Sequence, residues 1–323
     1  MLYPLKFQPL FKERVWGARN IERLYGKALP PRVPIGESWE ITDRQGDVSV
    51  IANGAFAGRD LHWLMENHGS DLLGDAKALN GRFPLLIKIL DAQDKLSLQV
   101  HPPAAKAAEL KGDPKTEMWF ITEATPDASL YVGLRKGVTR AEFERKINDG
   151  TVEECFQRLS VKAGDAMFLP SGRVHAIGAG NVIFEIQQNS DTTYRVFDFN
   201  RVGLDGKPRE LHVPQSLASI DFNDFEPPLE PRTTTQRGDA SVRVVTKCPL
   251  FTVEQIGLAA GKQTSLAPRT MHIIGLVSGE VTVESKAGNL ALRAGEFGLV
   301  PASIEAAVKA SRDASFLRVD AGR

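Results

Sequence analysis

Short runs of alternating apolar and polar residues cover most of the chain, and Gly, Pro, Asn and Asp residues separate them. Alternation with a period of two places successive side chains on opposite faces of a β-strand. Many short strands between frequent turns are typical of a β-barrel or a β-sandwich. The pattern therefore predicts a mostly β protein.

Three segments have the pattern of a helix instead. Residues 60–68 place apolar side chains at helical spacing, and Asp60 is a suitable N-cap. In residues 139–148, Thr139 is a second N-cap, with Glu142 at the capping-box position. Residues 104–111 are rich in Ala, Lys and Glu, which favour helices. We predict three helices inserted among the strands.

One strand carries two groups that bind metals. Gln99 and His101 are two residues apart and so share one face of a strand, while Leu98 and Val100 point into a core on the other face. A Gln-x-His pair alone is weak evidence, since it occurs by chance in many strands. A satisfied core histidine is the alternative for His101.

Two further donors follow downstream. Glu117 begins the apolar run of residues 117–121, and His175 follows a turn rich in Pro and Gly. Taken singly, these are a surface carboxylate and a turn histidine. Together with Gln99 and His101 they form a set of nitrogen and oxygen donors that suits Zn²⁺ or another borderline divalent ion.

The residues around His175 resemble the second signature motif of the cupin family of small β-barrels. The matching pattern is Gly164-x₅-Pro170-x-Gly172-x₂-His175. Cupins usually have Asn four positions after this histidine, where this chain has Ala179. Their first motif has a His-x-His pair closely followed by Glu, whereas here Gln replaces the first histidine and the Glu comes much later.

Longer segments resemble type I mannose-6-phosphate isomerases, a branch of the cupins that shares these departures. The similarity covers nearly the whole chain. It implies two jelly-roll β-barrels with helical insertions, one Zn²⁺ per chain bound by the four donors, and interconversion of mannose 6-phosphate and fructose 6-phosphate through an enediol. The segments that carry it are Tyr3 to Phe7 with Trp16 and Gly17, Gly36 to Glu40, Pro84 to Asp91, Leu96 to Pro102, Lys115 to Trp119 and Asp191 to Val196.

Isomerisation of an aldose needs a proton carrier and a positive charge near the enediolate oxygens. Lys115 shares the face of Glu117 in an extended segment, and a nearby divalent cation is expected to lower its pKa. A surface lysine on a turn is the alternative. Arg195 lies in an alternating run and needs an anion if it faces the barrel interior, either the enediolate or a phosphate. The resemblance implies that Arg195 is catalytic.

Two carboxylates are further catalytic candidates. Asp191 lies four residues before Arg195, on the same face if the strand is regular, and is a candidate to assist ring opening with His101. Glu185 lies inside a β-branched run. It is either a structural partner of Arg195 or Lys88, or a second proton carrier.

Two residues are candidates for substrate binding. Lys88 interrupts the apolar run of residues 85–90, where a charge needs a reason. Ser97 lies two residues before Gln99 and so faces the metal side. The resemblance makes both of them plausible contacts of the phosphosugar.

The chain also shows a composition change and a weak repeat. Residues 226–240 are rich in Pro, Thr and charge, which is typical of a linker. Residues 161–170 align with residues 292–301, and both copies contain Gly-x₅-Pro. The position equivalent to His175 is Ala306, so the second copy lacks this ligand.

We therefore expect a metal-binding catalytic cupin domain in residues 1–225, with helical insertions, and a smaller cupin-like β domain without metal in residues 241–323. The second domain is expected to be structural and to cover one side of the first.

Composition limits the partners. Forty basic residues balance 40 acidic ones, so nothing favours binding to nucleic acid or to an anionic membrane. The two cysteines are far apart, and the first residues mix charges among apolar residues without a signal-peptide pattern. We expect a cytoplasmic monomer or small homo-oligomer that acts on a small phosphosugar.

Other functions stay open at this point. One is a different cupin metalloenzyme, such as an iron-dependent oxygenase or an enzyme for another phosphosugar. The other is a catalytically silent cupin that binds sugar phosphates. The Gln ligand and the pair of cations, Lys115 and Arg195, argue against an oxygenase. The intact set of donors and cations argues against a silent protein.

Overall fold

A computed structural model describes all 323 residues. The helices are α1 (Asn20–Tyr25), α2 (Leu61–Leu73), α3 (Ala104–Ala107), α4 (Arg140–Asp149) and α5 (Val213–Ser219), with short 3₁₀ helices at Gly54–Phe56 and Val152–Cys155. The strands are β1 (Leu10–Ala18), β2 (Ile35–Ile41), β3 (Asp43–Arg44), β4 (Asp47–Val48), β5 (Leu85–Ala92), β6 (Leu98–Val100), β7 (Glu117–Ala124), β8 (Ser129–Leu134), β9 (Phe156–Ser160), β10 (Ala166–Leu169), β11 (His175–Ile177), β12 (Asn181–Gln188), β13 (Tyr194–Phe197), β14 (Thr235–Arg237), β15 (Ala240–Lys247), β16 (Phe251–Leu258), β17 (Gln263–Ser265), β18 (His272–Ser278), β19 (Glu280–Ser285), β20 (Leu290–Arg293), β21 (Phe297–Val300), β22 (Ala306–Ala310) and β23 (Ala314–Ala321).

The strands form two barrels, each made of two antiparallel sheets. In the first barrel a six-stranded sheet, β1-β2-β5-β12-β7-β10, faces a five-stranded sheet, β13-β6-β11-β8-β9. In the second barrel the six-stranded sheet β14-β15-β16-β23-β18-β21 faces the four-stranded sheet β17-β22-β19-β20. The mostly β fold with two cupin barrels is confirmed.

Strand alternation sorts each sheet into an inner and an outer face. On β5, Ile87 and Ile89 belong to a large core of 34 buried residues, which contains side chains from the six-stranded sheets of both barrels. Leu90, on the inner face of the same strand, belongs to a core that lies between the two sheets of the first barrel. The outer faces of the two six-stranded sheets therefore pack in one shared core.

The interior of the first barrel is apolar at one end and charged at the other. Along β12, Ile183 belongs to the inner apolar core, whereas Glu185, two residues later on the same face, is buried without being part of it. On β6, Leu98 and Val100 pack in the core outside the five-stranded sheet. Gln99 therefore faces inward, as its alternation with these residues predicts.

The three predicted helices differ in how far they extend. The Asp60 side chain accepts a hydrogen bond from the Trp63 N–H, and α2 runs beyond the predicted end to Leu73. Thr139 likewise caps α4. Of the predicted residues 104–111, only Ala104–Ala107 form regular helix, and turns continue to Lys111, where a left-handed φ of 57° and a hydrogen bond from the Gly112 N–H to the Ala107 carbonyl end the segment. The pattern did not predict α1 or α5.

The segment expected to be a linker is irregular over residues 226–234, while β14 at Thr235–Arg237 pairs with β15. The division into residues 1–225, 226–240 and 241–323 stays our proposal. The buried guanidinium of Arg243 donates to the carbonyls of Glu230, Pro231 and Gly164, so it ties this segment to both barrels. No helix is both long and apolar enough to cross a lipid bilayer.

Candidate active site

Three of the four predicted metal ligands converge inside the first barrel. The Nε2 atoms of His101 and His175 lie 3.4 Å and 3.3 Å from the two carboxylate oxygens of Glu117. All three side chains are buried, and their potential ligand atoms lie within 4.8 Å of one another. The His101 Nε2 atom has no hydrogen-bond partner, and neither Glu117 oxygen accepts a hydrogen bond, although Oε2 forms an ion pair with Lys115. Buried polar atoms without partners are costly, so this donor set fits a divalent metal ion.

The opposite ring nitrogens fix the orientation of both histidines. His101 Nδ1 lies 2.8 Å from the Thr192 carbonyl, and His175 Nδ1 lies 2.9 Å from the Arg173 carbonyl. Because a carbonyl only accepts, each Nδ1 carries the proton and each Nε2 presents a lone pair to the site. Burial lowers the pKa of both rings, that of His101 to about 3. The imidazoles are therefore neutral, as metal ligands must be.

Gln99 lies beside this cluster through strand pairing. It is opposite His175 in the pairing of β6 with β11, and its amide Nε2 lies 3.3 Å from His175 Nε2. A half-turn of the amide group places its oxygen at the same position. The structure thus brings Gln99 next to the other three predicted ligands.

Lys115 lies next to one of the predicted ligands. Its Nζ atom lies 2.8 Å from Glu117 Oε2. Burial lowers the pKa of Lys115, but the negative charges of Glu117 and Glu185 outweigh this effect and raise it overall. The expected lowering refers to the site with a bound divalent cation, so it stays a prediction.

A cavity of about 580 Å³ opens beside the cluster. Polar and charged residues form most of its lining, which contains every remaining predicted site residue. Those residues are Lys88, Ser97, Lys115, Glu185, Asp191 and Arg195, together with the ligand Gln99.

Glu185 pairs with Lys88 and not with Arg195. Its Oε1 atom lies 3.3 Å from Lys88 Nζ, and its Oε2 atom accepts a hydrogen bond from the Trp119 indole. Burial, followed by the charge of Glu117, raises the pKa of Glu185. Lys88 also faces a second carboxylate, Glu37, at 3.7 Å. The positive charge of Lys88 is thus shared between two buried carboxylates.

Asp191 does not share a strand with Arg195. The strand β13 begins only at Tyr194, and Asp191 is exposed in the preceding loop. It lines the cavity all the same. We expected Asp191 and Arg195 to share a face only if both lay on one regular strand, and they do not.

Arg195 has no carboxylate partner. Its guanidinium donates to the Glu210 carbonyl through NH1, and its Nε atom is buried without a partner. Burial and the positive charge of Arg209 lower its pKa. Since Arg195 is opposite Gln99 in the pairing of β13 with β6, an uncompensated positive charge lies next to the proposed metal ligands.

Sequence reasoning missed several charged residues that line the cavity, among them Arg14, Glu37 and Arg209. Arg14 and Glu37 come from β1 and β2, and Arg209 comes from the segment after β13. The Gly36–Glu40 segment was noted only for its resemblance. The inner position of Glu37 on a strand was readable from the alternation, but its partners depend on contacts that are distant in sequence.

Known proteins provide independent information. The model of the catalytic domain of type I phosphomannose isomerase matches residues 4–117. The chain is 37% identical over 282 residues to the mannose-6-phosphate isomerase ManA of Bacillus subtilis, an alignment that covers 86% of each protein. It is 35% identical over 309 residues to the mannose-6-phosphate isomerase of Streptococcus mutans, with 94% of each covered.

A solved structure agrees with these sequences. The crystal structure of the mannose 6-phosphate isomerase from Bacillus subtilis superposes with a TM-score of 0.89 and 28% identity, and the superposition covers 99% of both chains. Sequence and fold thus lead to the same group of enzymes. The chain belongs to the type I phosphomannose isomerase family, the mannose-6-phosphate isomerases.

Proposed function

We propose that the chain interconverts mannose 6-phosphate and fructose 6-phosphate through an enediol, with one Zn²⁺ held by Gln99, His101, Glu117 and His175. One observation carries this proposal: the buried His-Glu-His cluster lies beside a charged cavity that is large enough for a small ligand. A bound divalent ion supplies Lewis acidity that polarises the sugar oxygens. The donor set of two imidazoles, a carboxylate and an amide supports Zn²⁺.

Glu185 is our candidate for moving the proton between C1 and C2. Burial and the charge of Glu117 raise its pKa, and its Oε1 atom has no hydrogen-bond partner. Lys115, whose Nζ atom lies beside Glu117, is the second candidate for this transfer. Asp191, the exposed carboxylate of the cavity, is our candidate to assist ring opening together with His101.

Arg195 is our candidate for stabilising the negative charge of the enediolate. It lies next to Gln99 across the strands and lacks a carboxylate partner, so its charge is available to an anion. A guanidinium held in a partly buried site is also the usual partner of planar oxyanions. Removal of this charge is expected to affect turnover more than binding.

Ser97 and Arg209 are our candidates for the phosphate group. Both line the cavity, and Arg209 is fixed by a two-pronged pair with Asp198. Arg195 and Arg201 lie close enough to Asp198 to share its single negative charge, which leaves positive charge in excess there. Lys88, our other predicted contact of the phosphosugar, is already paired with the buried Glu37 carboxylate and lies 3.3 Å from Glu185, so we propose that it contacts the sugar.

The test is a coupled assay of fructose 6-phosphate formation from mannose 6-phosphate. It uses the purified protein, an EDTA-stripped sample and a sample to which Zn²⁺ is restored. We expect activity to disappear on stripping and to return with Zn²⁺. No turnover in the zinc-loaded protein would refute the proposed reaction.

The enediol has its own test. In D₂O, proton transfer through a solvent-exchangeable carboxyl group incorporates deuterium at C1 or C2, which mass spectrometry of the sugar detects. Complete retention of the substrate hydrogen during turnover would contradict this part. We place the activity in the cytoplasm, which the two free cysteines support.

A further inference from the structure

A line of buried charges of alternating sign runs along one wall of the cavity. It leads from Arg14 through Glu37, Lys88 and Glu185 towards Lys115. The last four of these residues are at most 8% exposed. Buried ion pairs add little net stability, because desolvation of both charges offsets their attraction. A fold gains little from such a line, so its geometry points to a role in the chemistry of the cavity.

Glu37 is the most completely held member of the line. Its Oε1 atom accepts a hydrogen bond of 2.8 Å from Arg14 Nε, and its Oε2 atom accepts one of 2.6 Å from the Trp39 indole. Oε2 also lies 3.7 Å from Lys88 Nζ. Arg14 and Trp39 therefore fix the Glu37 carboxylate at the side of Lys88 that is away from Glu185.

Glu185 is held in a different way. One oxygen accepts from the Trp119 indole at 2.9 Å, while the other, Oε1, lies 3.3 Å from Lys88 Nζ without forming a hydrogen bond. The Trp39 ring lies 5.0 Å from the same Nζ atom and limits its movement. Lys88 thus lies between two carboxylates. Both oxygens of Glu37 accept hydrogen bonds, whereas only one oxygen of Glu185 does.

We propose that Glu37 is a positioning residue that holds Lys88 away from Glu185 and so leaves the Glu185 Oε1 atom available to the substrate. This inference rests on the isomerase function proposed above. If the negative charge of Glu37 is removed, Lys88 has only Glu185 as its close counter-ion. The ammonium then closes on Oε1 and occupies the atom that is assigned to proton transfer.

The ionisation of the two carboxylates supports this division of roles. Burial alone would raise the pKa of Glu37, but the charges of Lys88 and Arg14 outweigh it and lower the pKa to about 2. Burial and the charge of Glu117 raise the pKa of Glu185. Glu37 is therefore an anion at neutral pH, whereas the pKa of Glu185 is shifted in the opposite direction.

The test compares Glu37→Gln, which keeps the shape of the side chain, with Glu40→Gln. Glu40 is a matched control, since it is a buried glutamate on the same strand, paired with Lys27 at 2.8 Å, and does not line the cavity. For Glu37→Gln we expect kcat to fall about tenfold or more with KM changed less than about threefold. For Glu40→Gln we expect both constants to stay at the wild-type values. Equal kcat values in the wild type and Glu37→Gln would overturn the proposal.

A double-mutant cycle with Lys88→Met shows whether Glu37 acts through Lys88. If it does, adding Glu37→Gln to Lys88→Met changes kcat less than about twofold. Independent, multiplicative losses would overturn the proposal, because Glu37 would then act by another route.

A structural measurement keeps this inference separate from the proposed function. In crystals of Glu37→Gln we expect the Lys88 Nζ to Glu185 Oε1 distance to shorten from 3.3 Å in the wild-type structure to about 2.8 Å. An unchanged distance would overturn the positioning role even if the enzyme is active. Failure of the zinc-loaded wild type to isomerise mannose 6-phosphate would refute the function and leave this distance as the test of Glu37.

Discussion

The two barrels share a strand order, yet only the first has a buried His-Glu-His cluster arranged to hold a metal ion. Their six-stranded sheets correspond strand by strand, and Gly164 and Gly295 make the same left-handed turn before β10 and β21. Leu169 and Val300, five residues after these glycines, are therefore equivalent. Leu169 pairs with Glu117, and Val300 pairs with His272. His272 thus occupies the position that Glu117 has in the first barrel.

The same register identifies a second correspondence. Lys88 pairs with Glu185 between β5 and β12, and at the equivalent place Glu254 pairs with Arg318 between β16 and β23. The charges are exchanged, but both barrels keep a buried ion pair there. A polar pair at this place is thus not sufficient for a catalytic site.

The two barrels differ in the contacts that their buried polar side chains make. In the second barrel, Nδ1 of His272 bonds to Asp320 and Nε2 faces the Ala267 carbonyl, so both ring nitrogens are occupied. The rest of its interior is filled by a core of 16 buried apolar residues. In the first barrel, by contrast, the His101 Nε2 atom has no hydrogen-bond partner, and the Nε2 atoms of His101 and His175 both face the Glu117 carboxylate. The convergence of three possible ligand side chains distinguishes the candidate site from its structural counterpart.

The largest effect on activity is expected when His175 of the first barrel is replaced by alanine, the residue at the equivalent position 306 of the second barrel. In His175→Ala, which copies Ala306, the metal loses one imidazole ligand, and we expect kcat/KM to fall roughly 10³-fold or more together with loss of bound zinc. Elemental analysis and the coupled assay measure both. Ala306→His is the matched control and should bind no additional zinc, because His272, at the position of Glu117, already has both ring nitrogens in hydrogen bonds. Full activity in His175→Ala would contradict the metal assignment.

A smaller loss is expected from the arginine that lacks a carboxylate partner. Arg195→Ala removes charge next to the ligand Gln99 while leaving the ligands in place. We expect kcat to fall about 10²- to 10³-fold with normal zinc content. Arg195→Lys keeps the charge and should retain more activity. A change of less than twofold in Arg195→Ala would show that this charge does not act in turnover.

In the metal-free protein, the buried His101 of the first barrel is expected to make the free energy of unfolding depend on pH. His101 has a folded pKa of about 3, well below its ordinary value. Between pH 3 and about 6.5 the unfolded chain therefore binds more protons, and the free energy of unfolding falls as the pH falls, by up to about 1.4 kcal/mol per pH unit from this group. Urea unfolding in EDTA measures the slope, and His101→Asn should reduce it. The same slope in both proteins would contradict the buried neutral imidazole.

The smallest effect on activity is expected in the second barrel. Arg318→Met breaks the pair with Glu254, which keeps its second partner Arg237, and we expect a loss of about 1 kcal/mol in the free energy of unfolding. Activity of the folded protein should change less than twofold. A tenfold loss of kcat without loss of stability would mean that the second barrel takes part in catalysis.

Local pattern was sufficient for some of these features. The alternation around Gln99 predicted which face of β6 points inward, and the caps at Asp60 and Thr139 marked the starts of two helices. The position of Ala306 in the repeat anticipated that the second barrel lacks a histidine ligand there. Each of these features depends on residues close together in sequence.

Other features depend on contacts between distant residues. The strand that contains Arg195 starts only at Tyr194, so Asp191 reaches the cavity from a loop, and Lys115 Nζ lies 2.8 Å from the Glu117 carboxylate. The roles that we propose for Glu37 and Arg209 arise from partners that no spacing in the sequence indicates. Pairing of strands determines these contacts, and a single sequence does not specify that pairing.

The central claim is that one metal ion in the first barrel, and none in the second, supports isomerisation. The most direct measurement is a titration of EDTA-stripped protein with Zn²⁺, in which bound zinc and turnover of mannose 6-phosphate are followed in the same samples. We predict that activity rises in proportion to bound zinc and reaches its plateau at one ion per chain. Full activity in the stripped protein, or no activity at one bound ion, would contradict the account.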